Sequence, residues 1–134
     1  MADAIIAGRS KRVENYAKSW EYTTNDTATL VTKYIGTKKH VIVPNKIEGK
    51  PVVLQNSPNS SNGVFTNNGN ITSVRFSDGV KIANNNMSNA FRYCSSLVNA
   101  PVIPNSVTNM ENTFCNCSNL INAPVIPSSV KSMF

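Results

Sequence analysis

Charge is scarce in this 134-residue chain: Asp, Glu, Lys and Arg make up 15% of it, against roughly 25% in an average soluble domain. Between residues 51 and 134 the only carboxylates are Asp78 and Glu111, and the single histidine is His40, far upstream. General acid–base chemistry needs a positioned pair of titratable groups or a base beside a nucleophile. The composition therefore argues against an enzyme. No glycine-rich phosphate loop and no serine-centred elbow is present. The cysteines number three, Cys94, Cys115 and Cys117. An odd count with two at repeat-equivalent positions argues against a disulfide framework. A zinc-type site would need a fourth N, S or carboxylate ligand beside them. No metal and no cofactor are expected.

Long apolar runs are missing too. With no apolar stretch of about 18 residues, no membrane insertion is expected. The run at residues 4 to 7 is broken by Gly8 and Arg9, too short for the apolar region of a secretory signal. The pI near 9.4 and net charge of +6 come without a Lys/Arg run interleaved with aromatics, so nucleic acid is not an expected partner. Nine Lys/Arg face five Asp/Glu in residues 1 to 50, and four face two in residues 51 to 134. The basic character belongs to the N-terminal part. In place of charge stand 20 Asn and 15 Ser, which make a neutral, hydrogen-bonding surface.

The strongest positive feature is repetition. MSNAFRYCSSLVNAPVIPNSVTN, residues 87 to 109, is followed without a gap by MENTFCNCSNLINAPVIPSSVKS, residues 110 to 132. Self-similarity at such a period marks a solenoid, whose units bury their apolar sides only against neighbours. Met87, Ala90, Phe91 and Cys94 stand at i, i+3, i+4 and i+7, the spacing of one face of a helix of about two turns, and Met110, Thr113, Phe114 and Cys117 repeat it. Leu97, Ala100 and Val102 then follow the pattern of a short strand with inward residues, echoed by Leu120, Ala123 and Val125. Pro104 ends the strand by removing a ladder donor, and Val107 and Val130 turn inward before the next helix. A degenerate repeat precedes these: Phe65, Ile71, Val74 and Phe76 match Phe91, Leu97, Ala100 and Val102 at one constant offset of 26. Cys94 and Cys117 read as small apolar core residues stacked coil on coil, and Cys115 as an outward thiol.

The expected organisation has three parts. Residues 1–19 form an arm, with Ile5, Ile6, Arg9, Arg12, Val13 and Tyr16 as candidates for docking on a partner, since the repeat core has no obvious home for them. Residues 20–56 form a β-rich antiparallel cap, with a hairpin turning at residues 24 to 26 and short strands at 40 to 44 and 51 to 56. Such a cap would cover a coil end that is otherwise an exposed sheet edge. Residues 57–134 carry the repeats: 61–86 degenerate, 87–109, 110–132, and the start of another at 133. The fold class is an α/β solenoid with short strands and short helices.

AFRYCSSL, residues 90 to 97, VIPNSVTNM, residues 102 to 110, and their copies TFCNCSNL and VIPSSVKSM resemble the BspA-like leucine-rich repeats. YTTNDTATLVTKYIGTKKHVIVPNKIEGKPVVLQNS, residues 22 to 57, is similar to that family's entry module. The resemblance spans residues 20 to 134 and implies a non-enzymatic surface domain used for adhesion or receptor binding in bacteria and their phages. Ala-Pro before the strand departs from the family's usual Ser/Thr-Val.

Combined with the unaccompanied N-terminus, this leads to an expectation of a phage virion or phage-tail-like particle component, assembled in the host cytoplasm and present in multiple copies. Its arm would anchor to other particle proteins, and its repeats would meet a host surface glycan or protein through Tyr93, Asn99 and Asn122. The alternatives are a bacterial leucine-rich-repeat module for protein binding or adhesion at the cell surface, and a purely structural capsid or tail decoration protein.

Overall fold

In a computed structural model, residues 16–56 and 62–133 are described. The chain enters on a 3-10 turn, Tyr16–Lys18, and continues into β1 (Trp20–Thr24) and β2 (Thr29–Tyr34), an antiparallel hairpin. Asn25 shapes the hairpin's turn: its Oδ1 accepts the N–H groups of Thr27 and Ala28, each at 2.9 Å, as Asn commonly does in place of a backbone acceptor. β3 (His40–Val43), β4 (Lys46–Ile47) and β5 (Lys50–Leu54) follow. Glu48 and Gly49 join β4 to β5 with φ of 54° and 76°. Both central residues are left-handed, which matches the twist of a two-residue hairpin.

Beyond these two hairpins the pairing is parallel, and the expected antiparallel cap needs correcting. β2 lies parallel to β5, β5 to β7 (Lys81–Ile82), and β3 to β6 (Ser73–Phe76). His40 to Val43 pair in register with Ser73 to Phe76, so the first solenoid coil already begins inside the module, upstream of residue 61. Parallel partners need a long crossover, and the chain between β3 and β6 supplies it.

Two parallel ladders then run along the molecule. One continues from β6 through single bridges, Ser73 with Asn99 and Asn99 with Asn122. The other passes from Asn86 to Asn109 and ends in β8 (Asn109–Met110) beside β9 (Ser132–Met133).

The third side of each coil differs from the expected helix. Among the described residues there is no α-helix, only two 3-10 turns, Tyr16–Lys18 and Ala83–Asn85. Alternate N–H groups explain this. Ala90, Arg92 and Cys94 donate back three residues within their own coil, at 3.1 to 3.2 Å, while Asn89, Phe91 and Tyr93 donate to Glu111, Thr113 and Cys115 of the next coil, at 2.8 to 3.0 Å. An α-helix would consume all of these groups internally. Left-handed residues reset the chain at each step: Asn89 (φ 62°) and Tyr93 (φ 62°), then Asn112 (φ 55°) and Asn116 (φ 61°). Met87, Ala90, Phe91 and Cys94 nonetheless all point inward and are buried.

The strand side also shifts. Val102 and Val125, expected in the core, are 87% and 88% exposed, and Ile103 is buried instead. Pro101 has no N–H, so the ladder stops after Asn99. A one-residue slip then exchanges inward and outward positions. The remaining repeat positions divide between the buried core (Phe65, Ile71, Val74, Met87, Phe91, Cys94, Leu97, Val107, Met110) and its partly buried margin (Phe76, Phe114, Cys117, Leu120, Val130).

An aromatic column ties the coils together. Trp20 and Tyr34 meet edge-on at 4.8 Å and both approach Phe65, at 6.0 and 5.8 Å. From there the rings stack, Phe65 on Phe91 at 5.0 Å and Phe91 on Phe114 at 5.4 Å, each pair 5° from parallel. Gly63 lets the first two coils close: a Cβ there would come within 2.4 Å of the Ala90 Cα.

Phe91 is enclosed on both faces while Phe114 lies at the margin. Phe91→Ala should therefore cost about 3–5 kcal/mol of unfolding free energy, and Phe114→Ala clearly less. Urea titrations of both variants give the comparison directly.

Candidate binding surfaces

The first ladder carries a polar row on its outer side. His40 Nδ1 and Ser73 Oγ lie 2.7 Å apart, and Thr72 Oγ1 is 3.3 Å from the same ring nitrogen. The Asn122 amide donates to the Asn99 side-chain oxygen. Ser73, Asn99 and Asn122 are backbone partners in adjacent coils. One surface line, His40 to Ser73 to Asn99 to Asn122, thus crosses four coils. Aliphatic side chains flank it in water: Ile42 is 54% exposed, Ile121 76%, and the outward-turned Val102 and Val125 join them. At its upstream end lies an open groove bordered by Tyr16, Lys38, His40 and Lys46.

Of the residues expected to meet a ligand, the fold brings Asn99 and Asn122 together. Tyr93 sits on the turn side, where its N–H reaches Cys115 O at 2.8 Å and the Arg92 guanidinium lies 5.0 Å from its ring centre. Of the arm candidates, Ile5, Ile6, Arg9, Arg12 and Val13 lie outside the described residues. Tyr16 is partly buried against the protein's own core.

Tyr93 is 44% exposed and holds a positive φ. The left-handed region costs a residue bearing a Cβ about 1–2 kcal/mol, with Asn the usual exception. An exposed cation–π contact returns about 0.5–1 kcal/mol. The equivalent residues one coil away on either side, Asn67 (φ 64°) and Asn116 (φ 61°), are both asparagines.

The thiols form a third row. Cys94 donates its S–H to Phe65 O and Cys117 to Phe91 O, both at 3.0 Å. Desolvation pushes the Cys94 thiol up to about 12, and it raises Cys117 as well. Cys115 is half-buried, and its sulfur accepts from the Asn116 amide at 3.5 Å. Among the described residues no three His, Cys, Asp or Glu side chains gather as a metal-holding group. No helix there is long and apolar enough to cross a membrane.

Sequence reasoning missed Ser73, His40 and Thr72 as neighbours, because their spacing of 32 or 33 residues differs from the later period. A polar side chain at the first position of the two short strands, His40 and Ser73, was the available signal.

No protein-family model and no curated protein matches this chain. Two solved structures do. The leucine-rich repeat protein of T. pallidum superposes with a TM-score of 0.65 at 22% identity, over 90% of this chain and 53% of its own. The fold is a leucine-rich repeat solenoid. A leucine-rich cell surface protein of Faecalibacterium prausnitzii superposes with a TM-score of 0.60 at 25% identity, over 90% of this chain and 31% of its own. The chain thus spans about half the length of one neighbour and about a third of the other.

The thiol row sets a pH dependence. A thiol whose pKa rises from 9.0 to about 12 on folding leaves the native state holding more protons than the unfolded chain between those values. Its contribution is complete below about pH 9 and is lost as pH climbs toward 12. Denaturant midpoints should fall through this window, and Cys94→Ala should flatten the fall.

Proposed function

We propose that this chain is a leucine-rich repeat recognition module of a bacterial cell surface, non-enzymatic, binding a protein through its strand side. The observation that carries the reading is the polar row from His40 to Asn122, continuous over four coils and bordered by Ile42, Val102, Ile121 and Val125 in water. Val102 and Val125 occupy equivalent positions in adjacent coils, and aliphatic side chains grouped in this way beside polar ones mark interaction surfaces. A row of amides and hydroxyls beside such a surface supplies orientation, and the aliphatic side chains supply desolvation.

The description of the F. prausnitzii neighbour as a cell surface protein supports this placement. It favours the adhesion alternative over a phage particle component, whose argument rests on the N-terminal arm, residues 1–19. The closer affinity to the BspA-like branch rests on the AFRYCSSL and VIPNSVTNM steps quoted above.

Val102 and Val125 stand clear of the core, so Val102→Asp with Val125→Asp should change stability by no more than about 0.5 kcal/mol per site. On an array of extracellular proteins the labelled double variant should lose at least about tenfold of the wild-type affinity, about 1.4 kcal/mol. Equal binding by the two, or no binding by wild type, would sink the proposal.

A further inference from the structure

The three central coils offer an internal comparison at one backbone position. Asn67, Tyr93 and Asn116 occupy equivalent places, all are exposed, and all are left-handed. Asn67 N–H reaches Arg92 O, and Tyr93 N–H reaches Cys115 O, both at 2.8 Å, so the three side chains stand in a row, about 4.8 Å from coil to coil. Asparagine is the inexpensive residue for this backbone, because its short polar side chain tolerates the left-handed region. In the middle coil the chain carries tyrosine instead, strained and with much of its ring in water. Strain retained at an exposed side chain, where a cheaper residue serves on both sides, points to a role in binding.

The surroundings define what would bind. Arg92 lies against the ring, and its Nε is buried with no hydrogen-bond partner among the described residues. A second cation is therefore disfavoured over this ring. Asn67 and Asn116 set amides, each with donors and an acceptor, on either side of an apolar disc. A molecule with an apolar face and a hydroxyl rim fits this arrangement. We propose that Tyr93, flanked by Asn67 and Asn116 and backed by Arg92, is a saccharide-binding site on the turn side, separate from the strand-side surface. A pyranose ring would stack on the aromatic face while its hydroxyls pair with the two amides and the guanidinium. A nucleobase would also stack, but residues 51 to 134 carry four Lys/Arg against two Asp/Glu, too few for a backbone-tracking basic groove.

The test uses the whole chain on an array of neutral and acidic oligosaccharides, with an oligodeoxythymidylate as control. Tyr93→Asn should lose at least about tenfold in glycan affinity and yet melt about 2–5 °C higher. Tyr93→Phe should keep the binding within about threefold, as expected of a stacking ring, and gain no melting temperature. Val102→Asp with Val125→Asp should leave glycan binding intact, which separates this site from the strand-side reading. The proposal is overturned if Tyr93→Asn melts lower than wild type or binds glycans unchanged, if the strand-side variant abolishes glycan binding, or if wild type binds no glycan or prefers the oligonucleotide.

Discussion

Backbone N–H groups in this molecule alternate between two destinations, and the rest of the structure depends on that alternation. On the turn side one group closes the local turn and the next crosses to the following coil. Each coil thereby satisfies its own shape and its neighbour's edge with the same eight residues. A helix would have satisfied the first demand alone, leaving adjacent coils to meet only through side chains. The crossing bonds set the coils at strand-like spacing, close enough for Phe65, Phe91 and Phe114 to stack nearly parallel at 5.0 and 5.4 Å.

Sending every second N–H across requires the chain to reverse its twist repeatedly, and this accounts for the composition. Among the described residues eight non-glycine positions have positive φ, and six of them are asparagine: Asn67, Asn84, Asn85, Asn89, Asn112 and Asn116. The asparagine content that reads as surface cover is in large part backbone chemistry. Side-chain caps follow the same logic. Asn86 and Asn109 each accept the N–H two residues on, at 2.9 Å, at the start of successive turns. Thr113 stands where the preceding repeat has Ala90, and its buried hydroxyl donates to Met87 O at 2.8 Å. Cys94 and Cys117 donate to the carbonyls of Phe65 and Phe91. These three buried or half-buried donors each have a carbonyl acceptor, which is the condition for placing them in a core at all.

Much of this was legible in the sequence, and the failures have physical causes. The doubled stretch identified the solenoid and most inward side chains, because burial follows periodicity whatever the backbone does between the buried points. Met87, Ala90, Phe91 and Cys94 have helical spacing, yet their segment folds as linked turns. Periodicity alone cannot tell a 3.6-residue repeat from turns that return to the same side every three or four residues. Asn89 inside that span was the available clue, a poor helix former that is at home in the left-handed region. Val102 was misplaced because alternation was counted through Pro101, where a missing donor let the register slip. The polar row from His40 was invisible for a different reason: it joins residues of unequal repeat length, which only the folded ladder aligns. The left-handed Tyr93 was likewise beyond composition, although its alignment with Asn67 and Asn116 was already in the sequence to compare.

The alternation also gives the solenoid a direction. Phe91 and Tyr93 hand their N–H groups forward to Thr113 and Cys115, and Phe114 and Asn116 occupy the same positions in the last full coil. On the turn side the carbonyls of Thr113 and Cys115 thus accept from the preceding coil. At the opposite end the β1–β2 hairpin and the Trp20–Tyr34 pair close over Phe65. The hairpin covers the first coil, and the turn side gains a chemical polarity from which N–H groups cross between coils and in which direction.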